Sequence, residues 1–141
     1  MAKRTATAIW NGGLTDGDGR MGFGSFEGNY SFVSRFEDGE GTNPEELIGA
    51  AQAGCYSMQL AADLGSAGHQ PERVETEAGV HLTKANGGFE ISKIELKTRA
   101  RVPGIDPDEF ARLVDQAKAN CLISKALGGV GEITVDAQLE E

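Results

Sequence analysis

Cys55 and Cys121 are the only cysteines in the chain and its strongest nucleophiles. They stand 66 residues apart, so they form no CxxC redox motif. A cysteine reacts as its thiolate, and two thiols can close a disulfide once their Cα atoms approach within roughly 4.4–6.8 Å. The spacing places each cysteine on the apolar face of its own helix. A free cysteine is equally at home there as a small core residue. The residues alone leave both readings open. Ala51, Gly54 and Ala117 are small enough to let the two helices approach near the cysteines. No third or fourth ligand is grouped with the thiols, and His69 and His81 read as solvent-facing, so no metal site is expected.

A reactive thiolate needs a cation beside it. Cys55 lies too deep in its helix for that helix's N-terminus to serve. Arg35 stands just ahead of the helix, on a segment that alternates like a strand from Tyr30 to Phe36 and shares a face with Val33. It could turn inward if Glu45 paired its charge. The other reading is an exposed edge arginine and an ordinary first-turn glutamate. The glycine pattern at Gly17, Gly19 and Gly22 lacks the strand and helix that a phosphate loop requires.

The helix bearing Cys55 is the element that must position this chemistry. Asn43 caps it, Pro44 opens it, and Glu46 completes a capping box. From Leu47 to Met58 it is apolar or small on nearly every side, the mark of a buried helix. Gly49 and Gly54 are expected where another element comes close. The helix is expected to run to about Leu64 and to end at Gly65 and Gly68.

Around it the pattern predicts strands. Thr5 to Trp10 reads as one; Asn11 to Gly24 reads as turns around a short strand; Glu27-Gly28-Asn29 reads as a hairpin turn. Val74, Thr76, Ala78, Val80 and Leu82 share one face of a longer strand, and Asn86-Gly87 turns it back. On the return the apolar residues change phase between Ile91 and Ile94, which predicts a β-bulge near Ser92-Lys93. A second helix starts with Asp106 as cap, Pro107 and Glu109 as box partner, carries Phe110, Leu113, Val114, Ala117 and Cys121 on one face, and ends at Gly128-Gly129. A last strand turns Ile133, Val135, Ala137 and Leu139 inward. The predicted class is α+β, a largely antiparallel sheet covering two helices.

The length of 141 residues fits a single domain over 1–141. The net charge of −9, with no basic tract, argues against nucleic acid and anionic membrane as partners. Lys3 and Arg4 precede no apolar signal core, and no apolar run is long enough to span a bilayer. The expected compartment is the cytoplasm, where structural disulfides are rare.

SRFEDGEGTNPEELIGAAQAGCYSM resembles the central signature of the OsmC family, osmotically inducible and peroxide-reducing bacterial proteins. AKANCLIS resembles the family's second cysteine segment, VPGID also matches, and the resemblance extends over essentially the whole chain. It implies an OsmC-like fold in an intertwined homodimer with two active sites at the subunit interface. It implies a thiol-dependent peroxidase related to the organic hydroperoxide resistance proteins, acting in oxidative stress defence. By position, Cys55 is then the peroxidatic cysteine, Cys121 the resolving one, Arg35 the stabiliser of thiolate and transition state, and Glu45 the residue that orients Arg35. Arg20 falls roughly where the organic hydroperoxide resistance branch carries its functional arginine, but the SRFE context points to Arg35. Leu122 departs from the pattern, since many members have proline after the second cysteine.

No bound cofactor is expected, and an external dithiol, a lipoyl protein or a thioredoxin-like protein, must reduce the disulfide. The small, apolar surroundings of Cys55 suit an alkyl group, which favours organic hydroperoxides over hydrogen peroxide. The alternative is a non-catalytic module of the same fold that binds a small apolar ligand. Glu45 and Cys55 lie about 15 Å apart along a regular helix and roughly 80° apart around it. Glu45, together with Arg35 where the two pair, is therefore expected to serve the partner subunit's cysteine.

Overall fold

Strands β1 (Ala6–Asn11), β2 (Asp18–Phe23) and β3 (Phe26–Tyr30) form an antiparallel meander in a computed structural model that describes residues 2–140. Residues 27–29 lie within β3 and pair with Arg20 to Gly22, so the expected hairpin turn at Glu27-Gly28-Asn29 is a strand. The turn falls earlier, between Phe23 and Phe26, where Gly24 adopts φ +54°.

The strand predicted over Tyr30–Phe36 ends at Tyr30 and gives way to a short helix, α1 (Phe32–Phe36). A capping box overrides the alternation. Ser31 Oγ accepts from the backbone N–H of Ser34, and Ser34 Oγ accepts from that of Ser31. Arg35 therefore stands in the last turn of a helix rather than on a strand.

Helix α2 (Pro44–Ser66) opens as expected, with Asn43 Oδ1 accepting from the Glu46 backbone N–H at 2.8 Å. Glu46 does not complete the box; its carboxylate accepts from the Thr42 hydroxyl. The helix ends in a Schellman motif: His69 N–H reaches Leu64 O, Gly68 N–H reaches Gly65 O, and Gly68 takes φ +91°. Gly65 thus lies inside the last turn, and Gly68 alone is the stop.

The chain divides into two compact units, Met1–Leu47 and Ile48–Glu141. The second contains β4 (Arg73–Ala85), β5 (Gly88–Arg101), α3 (Pro107–Asn120), α4 (Leu122–Ala126) and β6 (Glu132–Glu140). Its sheet has the order β4-β5-β6, separate from the meander. Asn86 and Gly87 both take positive φ, the two-residue hairpin turn that matches strand twist. His81 pairs with Lys93 and Leu82 with Ile91, so Ser92 is the extra residue of the predicted bulge. β6 pairs with β5 in parallel, because the chain crosses over through α3 and α4 before returning.

The core of this unit joins Tyr56, Leu60 and Leu64 of α2 to Ile94, Leu96 and Ala100 of β5 and to Phe110, Leu113 and Ala117 of α3. Gly49 answers to close approach, since a Cβ there would stand 3.3 Å from Val80 Cγ2. Gly54 does not, within this chain: a Cβ there would meet nothing within 4 Å. Ala51, Gly54 and Met58 form an exposed stripe, so α2 is buried on one side only by its own chain.

The second helix is not continuous to Gly128. Asp106 accepts from the backbone N–H groups of Asp108 and Glu109, but Glu109 turns away to His69 and Arg112 instead of closing a box. α3 stops at Cys121, whose backbone is extended at φ −62°, ψ 120°, and α4 starts immediately after it. Cys121 is a hinge residue between two helices, not a member of one helical face. Among the described residues no helix is long and apolar enough to cross a membrane.

Candidate active site

Two arrangements of functional side chains emerge, one in each unit. In the first, Arg35 Nε donates to Glu45 Oε1 and an Arg35 terminal nitrogen donates to Glu45 Oε2, both at 3.0 Å. This is the bidentate fork that fixes a guanidinium in orientation as well as in place. Glu45 is 9% exposed, Arg35 more open, and the Phe36 ring lies 5.1 Å from the guanidinium carbon. The α1 capping box, a Ser34 hydroxyl donating to Thr42 O, and an Asn43 amide donating to Ser34 O tie the two helix ends together. Arg20 is placed otherwise. It lies on β2, in an exposed pair with Glu27 and 3.2 Å from the Asn29 side-chain oxygen.

In the second unit, the Cys121 and Cys55 sulfurs are 3.1 Å apart and unbonded. That gap is about 1 Å longer than a disulfide's S–S bond. Cys121 is fully buried in the core, whereas Cys55 is half-buried and open to approach. The break between α3 and α4 turns the Cys121 backbone out of the helix at this point.

Burial is the largest influence on Cys55 and raises its pKa, against opposing hydrogen bonds from the Ile123 and Leu122 backbones. Burial also acts most strongly on Cys121 and in the same direction, but the Ser124 side chain and backbone N–H, with Cys55 and Ile123, outweigh it and draw the pKa down.

His69 pairs with Glu109 at 2.5 Å and is only partly exposed, unlike the solvent-facing residue expected, while His81 of β4 pairs with Glu95 of β5 at 2.6 Å. Among the described residues no three His, Cys, Asp or Glu side chains converge to hold a metal ion.

Residues 37–136 match the family model of OsmC-like proteins. The chain belongs to the OsmC family. It is 46% identical over 136 residues to the peroxiredoxin OsmC of Escherichia coli (strain K12), with 94% of each chain covered. It is 36% identical over 98 residues to an organic hydroperoxide resistance protein of Xanthomonas axonopodis pv. citri, covering 69% of this chain and 67% of that one. Among solved structures, the organic hydroperoxide resistance protein OhrB of Bacillus subtilis aligns with a TM-score of 0.68 at 25% identity, over 96% of this chain and 98% of that one. An OsmC-like protein of Mycoplasma pneumoniae aligns with a TM-score of 0.79 at 17% identity over 99% of both chains, a likeness of fold. The OsmC match spans Glu45, Cys55 and Cys121 but begins two residues after Arg35.

Two polar residues at the thiols escaped the sequence reading. Gln52 Nε2 donates to Ser124 Oγ at 2.9 Å, and Gln52 is completely buried. Their signal was a lone amide within the small and apolar run from Leu47 to Tyr56, one turn before Cys55, and a serine one turn after Cys121.

Proposed function

We propose that this OsmC-family chain is a thiol-dependent peroxidase that reduces organic hydroperoxides through Cys55 and Cys121. The observation that carries the reading is the pair of free sulfurs at 3.1 Å, one open to approach and the other buried behind it. The relatives named peroxiredoxin and organic hydroperoxide resistance protein support a peroxidase role.

The Cys55 thiolate attacks the hydroperoxide oxygen distal to carbon. An S–O bond forms, the O–O bond breaks, and the departing alkoxide takes a proton to leave as alcohol. Cys55 is then a sulfenic acid. Cys121 condenses with it, releasing water and forming a disulfide, which spares Cys55 further oxidation. A dithiol reductant restores both thiols by exchange.

Arg35 supplies the cation that a thiolate calls for. Its guanidinium stabilises the Cys55 thiolate and the charge developing on the leaving oxygen, and Glu45 fixes its orientation. The chain acts as a homodimer in which the Arg35–Glu45 pair of one protomer faces the Cys55 of its partner. Two considerations support this. Ten residues of regular helix put Glu45 and Cys55 about 15 Å apart along its axis. Large apolar side chains also stand uncovered, including Ile9, Phe26 at 68% and Met58 at 77% exposure. Association would take such side chains out of water.

The test is loss of both free thiols on adding cumene hydroperoxide, with recovery on adding a dithiol. A greater catalytic efficiency with hydrogen peroxide than with cumene hydroperoxide would overturn the substrate preference.

A further inference from the structure

The contact between the two sulfurs is accompanied by a second contact one helical turn away on each side. Gln52 lies three residues before Cys55 on α2, and Ser124 lies three residues after Cys121 on α4. The cysteines meet at 3.1 Å; Gln52 Nε2 and Ser124 Oγ meet at 2.9 Å. A serine hydroxyl has one proton and two acceptor lone pairs. The Gln52 amide occupies an acceptor position, which leaves the hydroxyl proton to be donated. Ser124 follows Cys121 by one turn, and its side chain is among the groups that draw that thiol's pKa down.

Gln52 also bears a cost. Its Oε1 is buried without a hydrogen-bond partner, a penalty that an apolar residue would avoid. The reverse amide orientation would place Oε1 against Ser124 and draw the hydroxyl proton away from the sulfur.

We propose that Gln52 and Ser124 are positioning residues for disulfide closure: Gln52 fixes the Ser124 hydroxyl as a donor, and that hydroxyl holds Cys121 ready to attack oxidised Cys55. The inference rests on the peroxidase reading and adds two residues to its second step. In that step an electron pair on the Cys121 thiolate forms the S–S bond, and the S–O bond of the Cys55 sulfenic acid breaks. Cys55 sulfur is reduced and Cys121 sulfur oxidised. The oxygen leaves as hydroxide and regains, as water, the proton that Cys121 gave up. The hydroxyl hydrogen bond tightens as the thiolate forms, as hydrogen bonds at catalytic groups do. The other titratable groups acting with Cys121 are Cys55 and Tyr56, both from α2, beside the Ile123 and Ser124 backbones, and the Tyr56 hydroxyl is committed to Val114 O at 3.1 Å.

The experiment follows the two oxidation steps separately in the full-length protein after one equivalent of cumene hydroperoxide. Sulfenic acid is trapped at timed intervals with dimedone, and disulfide is measured by intact mass across a pH series. Wild type, Ser124→Ala, Ser124→Thr and Gln52→Met are compared, the last a near volume-conserving change. Closure is expected to slow by about tenfold in Ser124→Ala and Gln52→Met, the worth of one hydrogen bond to a charged group. Its pH inflection is expected to move upward, sulfinic acid to accumulate under excess hydroperoxide, and Ser124→Thr, which keeps the hydroxyl, to restore rate and inflection. A Ser124→Ala protein that closes with the wild-type rate and inflection would overturn the positioning role while leaving the peroxidase reading intact. So would a Ser124→Thr protein as slow as Ser124→Ala. A wild type that forms neither sulfenic acid nor disulfide would overturn the peroxidase reading and the positioning role together.

Discussion

Arg35 and Glu45 meet through two nitrogens and two oxygens, both contacts at 3.0 Å, although one closes a five-residue helix and the other opens a 23-residue one. Lysine keeps the charge but cannot form that fork. Arg35→Lys is therefore expected to lower kcat/KM for cumene hydroperoxide by about 100-fold, in the range seen when a preorganised transition-state donor is lost. Glu45→Ala is expected to lower it as well, since the guanidinium is then free to rotate. Steady-state kinetics of both variants checks this; wild-type efficiency in Arg35→Lys would remove the fork from the mechanism.

Service across the dimer is tested with mixed dimers. If Glu45 acts on the partner's cysteine, placing Cys55→Ser in one protomer and Glu45→Ala in the other leaves one intact site. Placing both changes in the same protomer leaves none. Activity of tagged, purified mixed dimers reads this directly. The opposite pattern, activity only when both changes share a protomer, would place Glu45 and Cys55 of one chain at the same site.

Leu60 and Met58 are near neighbours on α2 with opposite surroundings in the chain, one fully buried and the other exposed. Leu60→Ala is expected to destabilise the protein by about 2–5 kcal/mol, measured by denaturant unfolding. Met58→Lys is expected instead to weaken association, so its unfolding midpoint falls as protein concentration falls and sedimentation shows monomer. A concentration-independent effect of Met58→Lys would count against a dimer contact at that position.

Glu95 has a lowered pKa, first through its hydrogen bond with His81 and then through the Lys93 charge. A depressed carboxylate contributes stability that is present above its unfolded pKa and is lost as pH falls through its folded pKa. NMR titration is expected to place Glu95 below the ordinary carboxylate range, and His81→Ala to move its midpoint up. An unchanged midpoint in that variant would show that His81 does not lower the Glu95 pKa.

What was legible in the sequence followed strong local signals. Asn86-Gly87, the phase change around Ser92, and the caps at Asn43 and Asp106 each have a local physical cause, and each appears in the fold. Two elements at the candidate site were not legible, for different reasons. Tyr30 to Phe36 alternates like a strand, but Ser31 and Ser34 cap each other and wind it into a helix, which carries Arg35 to Glu45. The break at Cys121 has no glycine or proline to announce it, and the helical spacing runs through it. The Gln52–Ser124 bond joins residues 72 apart and depends on that break, so no local pattern could encode it.

The central claim is that Cys55 and Cys121 are a redox pair rather than two core residues. The most direct test is intact mass with a free-thiol count after one equivalent of cumene hydroperoxide, on wild type and on Cys121→Ser. The account predicts that wild type loses two hydrogens and both thiols, and that the variant holds a trappable sulfenic acid on Cys55. Unchanged mass and thiols in both proteins would contradict it, and would leave the OsmC family resemblance as one of fold alone.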